Sequence, residues 1–253
     1  NSDTVVIPAN IDGYTVQELG DNVFKNKTAI KCVILPEGMN KIGSGCFYGC
    51  TALEDIRFSS TVSNIGNSAF ESCKKLTQIE FPAKLTGIGS HAFYNCTGLT
   101  KLEIPDSVNA IYGRAFYNCT NLSEINYPMS LSNAGEEIFA NIKLTRMTVP
   151  EGVTKLADRV FKNCTNFIKI QLPATLKSIG NSSLEGCTGL TELELPDGIT
   201  NLGKYSLANC SNLSKVNYPK SLNSTGEGIF NGDSKLKSII VPEGVETIPD
   251  SAF

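Results

Sequence analysis

HAFYNCTGLTKLEIPDSV at 91–108 is followed 23 residues later by RAFYNCTNLSEINYPMSL at 114–131, and the same unit recurs along the chain. A period this short means that no unit can bury its own apolar side chains, so the units must stack and cover one another. The aromatic of the Ala-Phe pair marks the register at Phe24, Phe47, Phe70, Phe93, Phe116, Phe139, Phe161, Leu184, Leu207, Phe230 and Phe253. Each step is 23 residues except Phe139 to Phe161, which is 22, the missing residue lying between Phe139 and Leu144.

The other positions follow that mark. An aliphatic sits eight before it (Val62, Leu85, Val108), Ile or Leu five before (Ile65, Ile88, Ile111), and commonly Gly four before (Gly43, Gly66, Gly89). Cys lies three after it at Cys50, Cys73, Cys96, Cys119, Cys164, Cys187 and Cys210, Leu mostly six after, and Pro twelve after, with Ser59 as the substitution. A longer period overlies this one: NYPMSLSNAGEEIF resembles NYPKSLNSTGEGIF at an offset near 91, as if a four-unit cassette had been duplicated.

Leu99-x-x-Leu102-x-Ile104 ends in a period-2 alternation, which predicts one short parallel strand per coil with Leu102 and Ile104 inward. Pro105 stops it, because proline cannot donate to a ladder. Val108-x-x-Ile111 begins a second extended segment on the opposite side of the coil. The Gly that follows is expected to serve a tight corner, and the stretch before each Phe to form a single turn of helix or 3₁₀. The opening stretch IPANIDGYTVQELGDNVF carries five extra residues, expected as a hairpin-like cap. Residues 1–253 are expected to be one solenoid domain of about ten coils, with 1–23 as cap and opening strand. The chain stops mid-unit at Phe253, so the natural protein is expected to continue.

A net charge of −3 argues against a dedicated nucleic-acid or anionic-membrane surface. No apolar run approaches the roughly 18 residues that span a bilayer, and no signal peptide is visible. Nine cysteines leave at least one thiol unpaired. No Cys-x2-Cys pair exists, His91 is the sole histidine, and no metal or cofactor is expected. The repeated cysteines read as small buried hydrophobes with a weak S–H donor. Cys46 departs from the pattern and could lie close to Cys50. Cys32, at an outward strand position, is the candidate reactive thiol. The Asn-Cys-Thr and Asn-Cys-Ser triplets at 95, 118, 163 and 209 match a glycosylation acceptor, yet their Asn suits a turn that bonds backbone.

Nothing in the chain suggests catalysis: a lone corner histidine lacks the oriented partner a triad needs. The outward strand positions carry a charged series that includes Lys101, Glu124, Arg146, Lys169 and Glu192, flanked two residues on by Glu103 and Glu194. One residue after the mark come Tyr48, Tyr94 and Tyr117, interrupted by Glu71. These charges and tyrosines form the candidate binding surface, although register-keeping by charge pairs accounts for the same series.

IGSHAFYNCTGLTKLEIPDSV, its copies, and the opening stretch resemble the BspA-like leucine-rich repeats of bacterial surface proteins. The resemblance covers essentially the whole chain. It implies a leucine-rich-repeat solenoid of the α/β horseshoe-like class, rich in β. It also implies a cell-surface or secreted location and a non-catalytic module. The expected partner is a protein or glycoprotein such as host matrix or another cell surface, with no nucleic acid, no membrane insertion of this segment, and a monomeric state. A spacer that holds another domain away from the cell wall is the alternative.

Overall fold

A computed structural model describes residues 3–246 and residue 248. The register mark expected at Phe253 lies outside them. The chain divides into two compact units, Asn1–Asn133 and Ala134–Phe253, and each is described by itself.

In the first unit the leucine-side segments pair in parallel. Thr4–Val6, Cys32–Ile34 and Asp55–Arg57 form one ladder, Glu80 bridges Glu103, and Lys101–Leu102 pairs with Glu124–Ile125. The isoleucine-side segments form a second parallel ladder: Glu18–Leu19, Lys41–Ile42, Asn64–Ile65, Gly87–Ile88 and Ala110–Ile111. The coil therefore carries two strands rather than the single one expected. Partners such as Lys101 and Glu124 or Asn64 and Gly87 differ by 23, the repeat itself. At the start, Asn10–Ile11 pairs antiparallel with Tyr14–Thr15. This is the expected hairpin cap. Asp12 (φ 50°) and Gly13 (φ 86°) both take the left-handed conformation that a two-residue type I′ turn requires.

The second unit repeats the arrangement. Arg146–Thr148 pairs with Lys169–Gln171 and Glu192–Leu193 with Lys215–Val216 on the leucine side. Lys155–Leu156, Ser178–Ile179, Asn201–Leu202 and Ser224–Thr225 form the other ladder. The 22-residue step shows in the turn ribbon, where Phe139 donates to Val160 and Asn141 to Lys162, one residue closer in sequence than the equivalent bonds of Phe47 to Ala69 and Gly49 to Glu71.

No helix occurs among the described residues, and the stretch around each Phe is not 3₁₀ either. It is a ribbon of turns whose amides alternate in direction. Cys46, Tyr48 and Cys50 donate to Gly43, Gly45 and Phe47 of their own coil, while Gly45, Phe47 and Gly49 donate to Asn67, Ala69 and Glu71 of the next. A helix would use every amide internally and could not join its neighbour. The alternation is possible because two residues per coil, two before and two after the mark, adopt positive φ. The later site holds only Asn, Gly or Ser, as in Asn95, Asn118, Ser72 and Gly186, side chains that tolerate this region.

Gly43, Gly66 and Gly89 do not have positive φ, so the corner they were expected to ease is not their purpose. A Cβ on Gly66 would lie 2.7 Å from the Gly43 carbonyl carbon and the Ser44 nitrogen. Glycine is required there because successive coils touch backbone to backbone.

The core follows the repeat. Phe24, Phe47, Phe70, Phe93 and Phe116 stack with ring centroids 5.1–5.3 Å apart. In the second unit Phe161 stacks on Phe139 at 5.9 Å and meets Phe167 at 5.4 Å. Where Leu184 and Leu207 replace Phe, the preceding residues are Ser183 and Ser206, whose buried hydroxyls have no partner among the described residues.

Candidate functional site

The cysteines belong to the scaffold. Cys50, Cys73, Cys96 and Cys119 donate S–H to the carbonyl oxygens of Phe24, Phe47, Phe70 and Phe93 at 3.0–3.2 Å. In the second unit Cys164, Cys187 and Cys210 do the same to Phe139, Phe161 and Leu184. Burial pushes Cys119, Cys164 and Cys210 up to about 12. Cys46 and Cys50 are both buried and both free, and burial raises Cys46 to about 12 with the Cys50 thiol adding to it. Cys32 does face outward, but partial burial and then the Asp55 carboxylate, 3.7 Å from its sulfur, raise its pKa. Both effects disfavour the thiolate, so the expected reactive thiol is a sluggish one. Among the described residues no three His, Cys, Asp or Glu side chains group as a metal site would need.

The Asn of each glycosylation-like triplet is a left-handed turn residue, and in the first unit its amide is occupied: Asn118 Nδ2 donates to Asn95 Oδ1 at 3.0 Å. His91 is also left-handed (φ 58°), its ring 5.3 Å from that of Tyr94.

The three tyrosines do not form one cluster. Tyr94 and Tyr117 stack at 5.2 Å, nearly coplanar, and Arg114 lies 6.0 Å from the Tyr117 ring centre. Tyr48, separated from them by the Glu71 coil, has Lys25 over its face at 4.9 Å. All three are half-buried on the turn ribbon, away from the charged strand positions in each coil.

The outward charges on the leucine-side strands sort by unit. In the first, Lys101 pairs with Glu124 at 3.0 Å, and Glu103 lies directly opposite Glu80. In the second, Arg146, Lys169, Glu192 and Glu194 line one open groove together with Lys215 and the half-exposed Ile168. Lys215 takes the Glu192 carboxylate at 3.7 Å. Arg146 and Lys169 sit directly opposite each other, and neither has an ion-pair partner among the described residues.

Two features of this face escaped sequence reasoning. Asn126 inserts its side-chain amide against the Ile104 backbone, accepting from N–H at 2.7 Å and donating to C=O at 2.8 Å. Asn217 does the same to Leu195 in the second unit. These two asparagines open the duplicated Asn-Tyr-Pro triplets, a signal that was present but unassigned.

A two-sheet coil of 23 residues with a Phe stack, a Cys–carbonyl ladder and a proline after each strand is a defined repeat architecture. The sequence matches the pattern described as the BspA type leucine-rich repeat region over residues 6–119, 40–168 and 154–253. The chain belongs to the BspA-type leucine-rich repeat family. A solved leucine-rich repeat protein of T. pallidum is 30% identical, with 74% of this chain and 78% of that chain aligned at a TM-score of 0.54. The pneumococcal vaccine antigen PcpA shares the fold at 20% identity and a TM-score of 0.53, over 99% of this chain and 81% of its own. A leucine-rich repeat protein from Eubacterium ventriosum is similar at 19% identity and 0.51, over 99% and 82%. No curated protein sequence gives a significant match. Among the described residues no helix is long and apolar enough to cross a membrane.

Proposed function

We propose that this BspA-type repeat chain is a non-catalytic binding and adhesion module of a bacterial surface or secreted protein, contacting macromolecules of a host or neighbouring cell. The observation that carries it is the groove on the second unit, where Arg146, Lys169 and Glu194 have no ion-pair partner among the described residues. Charges that served only to keep register would be paired, as they are at Lys101 and Glu124. The family supports the reading, and the fold is shared with a protein described as a vaccine antigen. The spacer alternative draws on the pairs that are made within the sheet, Lys101–Glu124 and Lys215–Glu192, which keep register without any ligand.

The test is a binding screen of the purified chain against immobilised matrix proteins, mucins and whole bacterial cells. Saturable binding to at least one of them is expected. Absence of binding across the panel by correctly folded protein would leave the spacer as the function. A Tyr48, Tyr94, Tyr117→Ser triple variant reports whether the turn ribbon takes part: binding lost by a folded triple variant would move the site from the groove to the ribbon.

A further inference from the structure

The geometry points to a protein segment with an acidic residue two positions from a basic one as the ligand of the Arg146–Lys169–Glu194 groove, an inference that rests on the binding reading above. Arg146 and Lys169 are Cα partners in a parallel ladder and both are exposed. Neighbouring parallel strands lie about 4.8 Å apart, and like charges directly opposite one another destabilise a sheet. The nearest carboxylate along the row, Glu192, lies 3.7 Å from Lys215 on its far side. The sheet thus holds two cations together with no ion pair to either among the described residues, a site for an external carboxylate held by both.

The far side of the groove sets the rest of the ligand. Glu194 lines it and has no ion pair among the described residues. It is one coil and two residues from Lys169, so their Cα atoms are roughly 8 Å apart by standard strand spacings. An extended peptide advances about 6.8 Å in two residues. A segment that places its carboxylate on the cation couple therefore brings its second-next side chain to Glu194, where a Lys or Arg is complementary. Ile168 offers apolar contact to the peptide body. A uniformly anionic glycan matches the couple equally well but carries its next charge towards Glu194, where it is repelled. The observations favour the peptide.

The experiment uses the full chain and fluorescein-labelled peptides with Glu-Thr-Lys, Gln-Thr-Lys or Glu-Thr-Gln between Gly-Ser flanks, read by fluorescence polarisation at low and high salt. A heparin oligosaccharide is the glycan arm. We expect the Glu-Thr-Lys peptide to bind at least fivefold more tightly than either neutralised peptide, with affinity falling as salt rises. K169E, which puts a carboxylate opposite Arg146, should abolish peptide binding while the protein still unfolds cooperatively. R146S is the second variant should K169E fail to fold, and it too should lose binding. The inference is overturned if folded K169E or R146S binds as the parent does, if neutralising the peptide's Glu changes nothing, if heparin binds through the couple more tightly than the peptide, or if no peptide binds. Failure here with binding retained in the macromolecule screen discards the ligand class alone; failure in both discards the module.

Discussion

Three residues after seven of the register marks stands a small apolar side chain that can still satisfy a carbonyl, and cysteine meets both demands. The Phe230 coil places Asp233 there instead, buried and with neither carboxylate oxygen partnered among the described residues. Burial pushes it from an ordinary 3.8 up to about 7, and the titratable group packed against it is the Cys210 thiol. A carboxyl whose pKa rises on folding contributes stability fully below its unfolded value and loses it as pH climbs through the folded one. The midpoint of thermal unfolding should therefore fall between about pH 4 and about pH 7. D233C should flatten that fall; a variant with the parent's profile would show that Asp233 does not carry it. The same ladder predicts thiol reactivity. Of nine cysteines, only Cys32 should react with an aromatic disulfide reagent in the folded protein, slowly and faster at high pH, while all nine react in guanidinium. Fast release of several equivalents from native protein would contradict the buried ladder.

At the scale of the element, the turn ribbon is the part that a period-based reading misses. Its 3.6-like spacing of Ala, Phe and Cys suits a helical turn. The competing preference is for Asn, Gly and Ser at left-handed positions, which frees alternate amides to bond the next coil. Bulky residues at the earlier left-handed site, such as Arg114 and Tyr205, show that the inter-coil bonds outweigh the local strain there. The glycine four before the mark is likewise explained by contact. G66A would press a methyl into the Gly43–Ser44 backbone and should destabilise the protein by about 1–3 kcal/mol, measured by urea unfolding. The equivalent position in the Phe116 coil is Tyr112, so Y112G should cost far less.

Across the whole molecule the exposed ion pairs are many, yet surface pairs contribute only about 0–1 kcal/mol each and are screened by salt. Pairs such as Lys41–Glu18, Lys204–Glu227 and Lys220–Asp197 each have both side chains more than half exposed. Raising NaCl from 0.05 to 1 M should lower the unfolding midpoint by no more than about 3 °C, because stacking of apolar ladders dominates. A fall of 10 °C would mean that charge holds the coils together. Binding through the Arg146–Lys169 couple should, in contrast, be salt-sensitive, which separates what stabilises the protein from what recognises a partner.

Sequence alone determined the repeat length, the identity of the inward ladders, the hairpin cap and the family, since each depends on which residue recurs at which spacing. The five extra residues of the opening stretch announced the cap, and Phe, Cys, Leu and Ile recurring every 23 residues announced the core. The tertiary structure alone decided the rest. Whether an amide closes its own turn or reaches the next coil depends on the neighbouring backbone, and so does the need for glycine at Gly66. The charged surface shows the same division. Arg146 and Lys169 were legible as charges one period apart, but that Glu192 turns away to Lys215 and leaves them unpaired is a matter of side-chain geometry, which spacing does not encode.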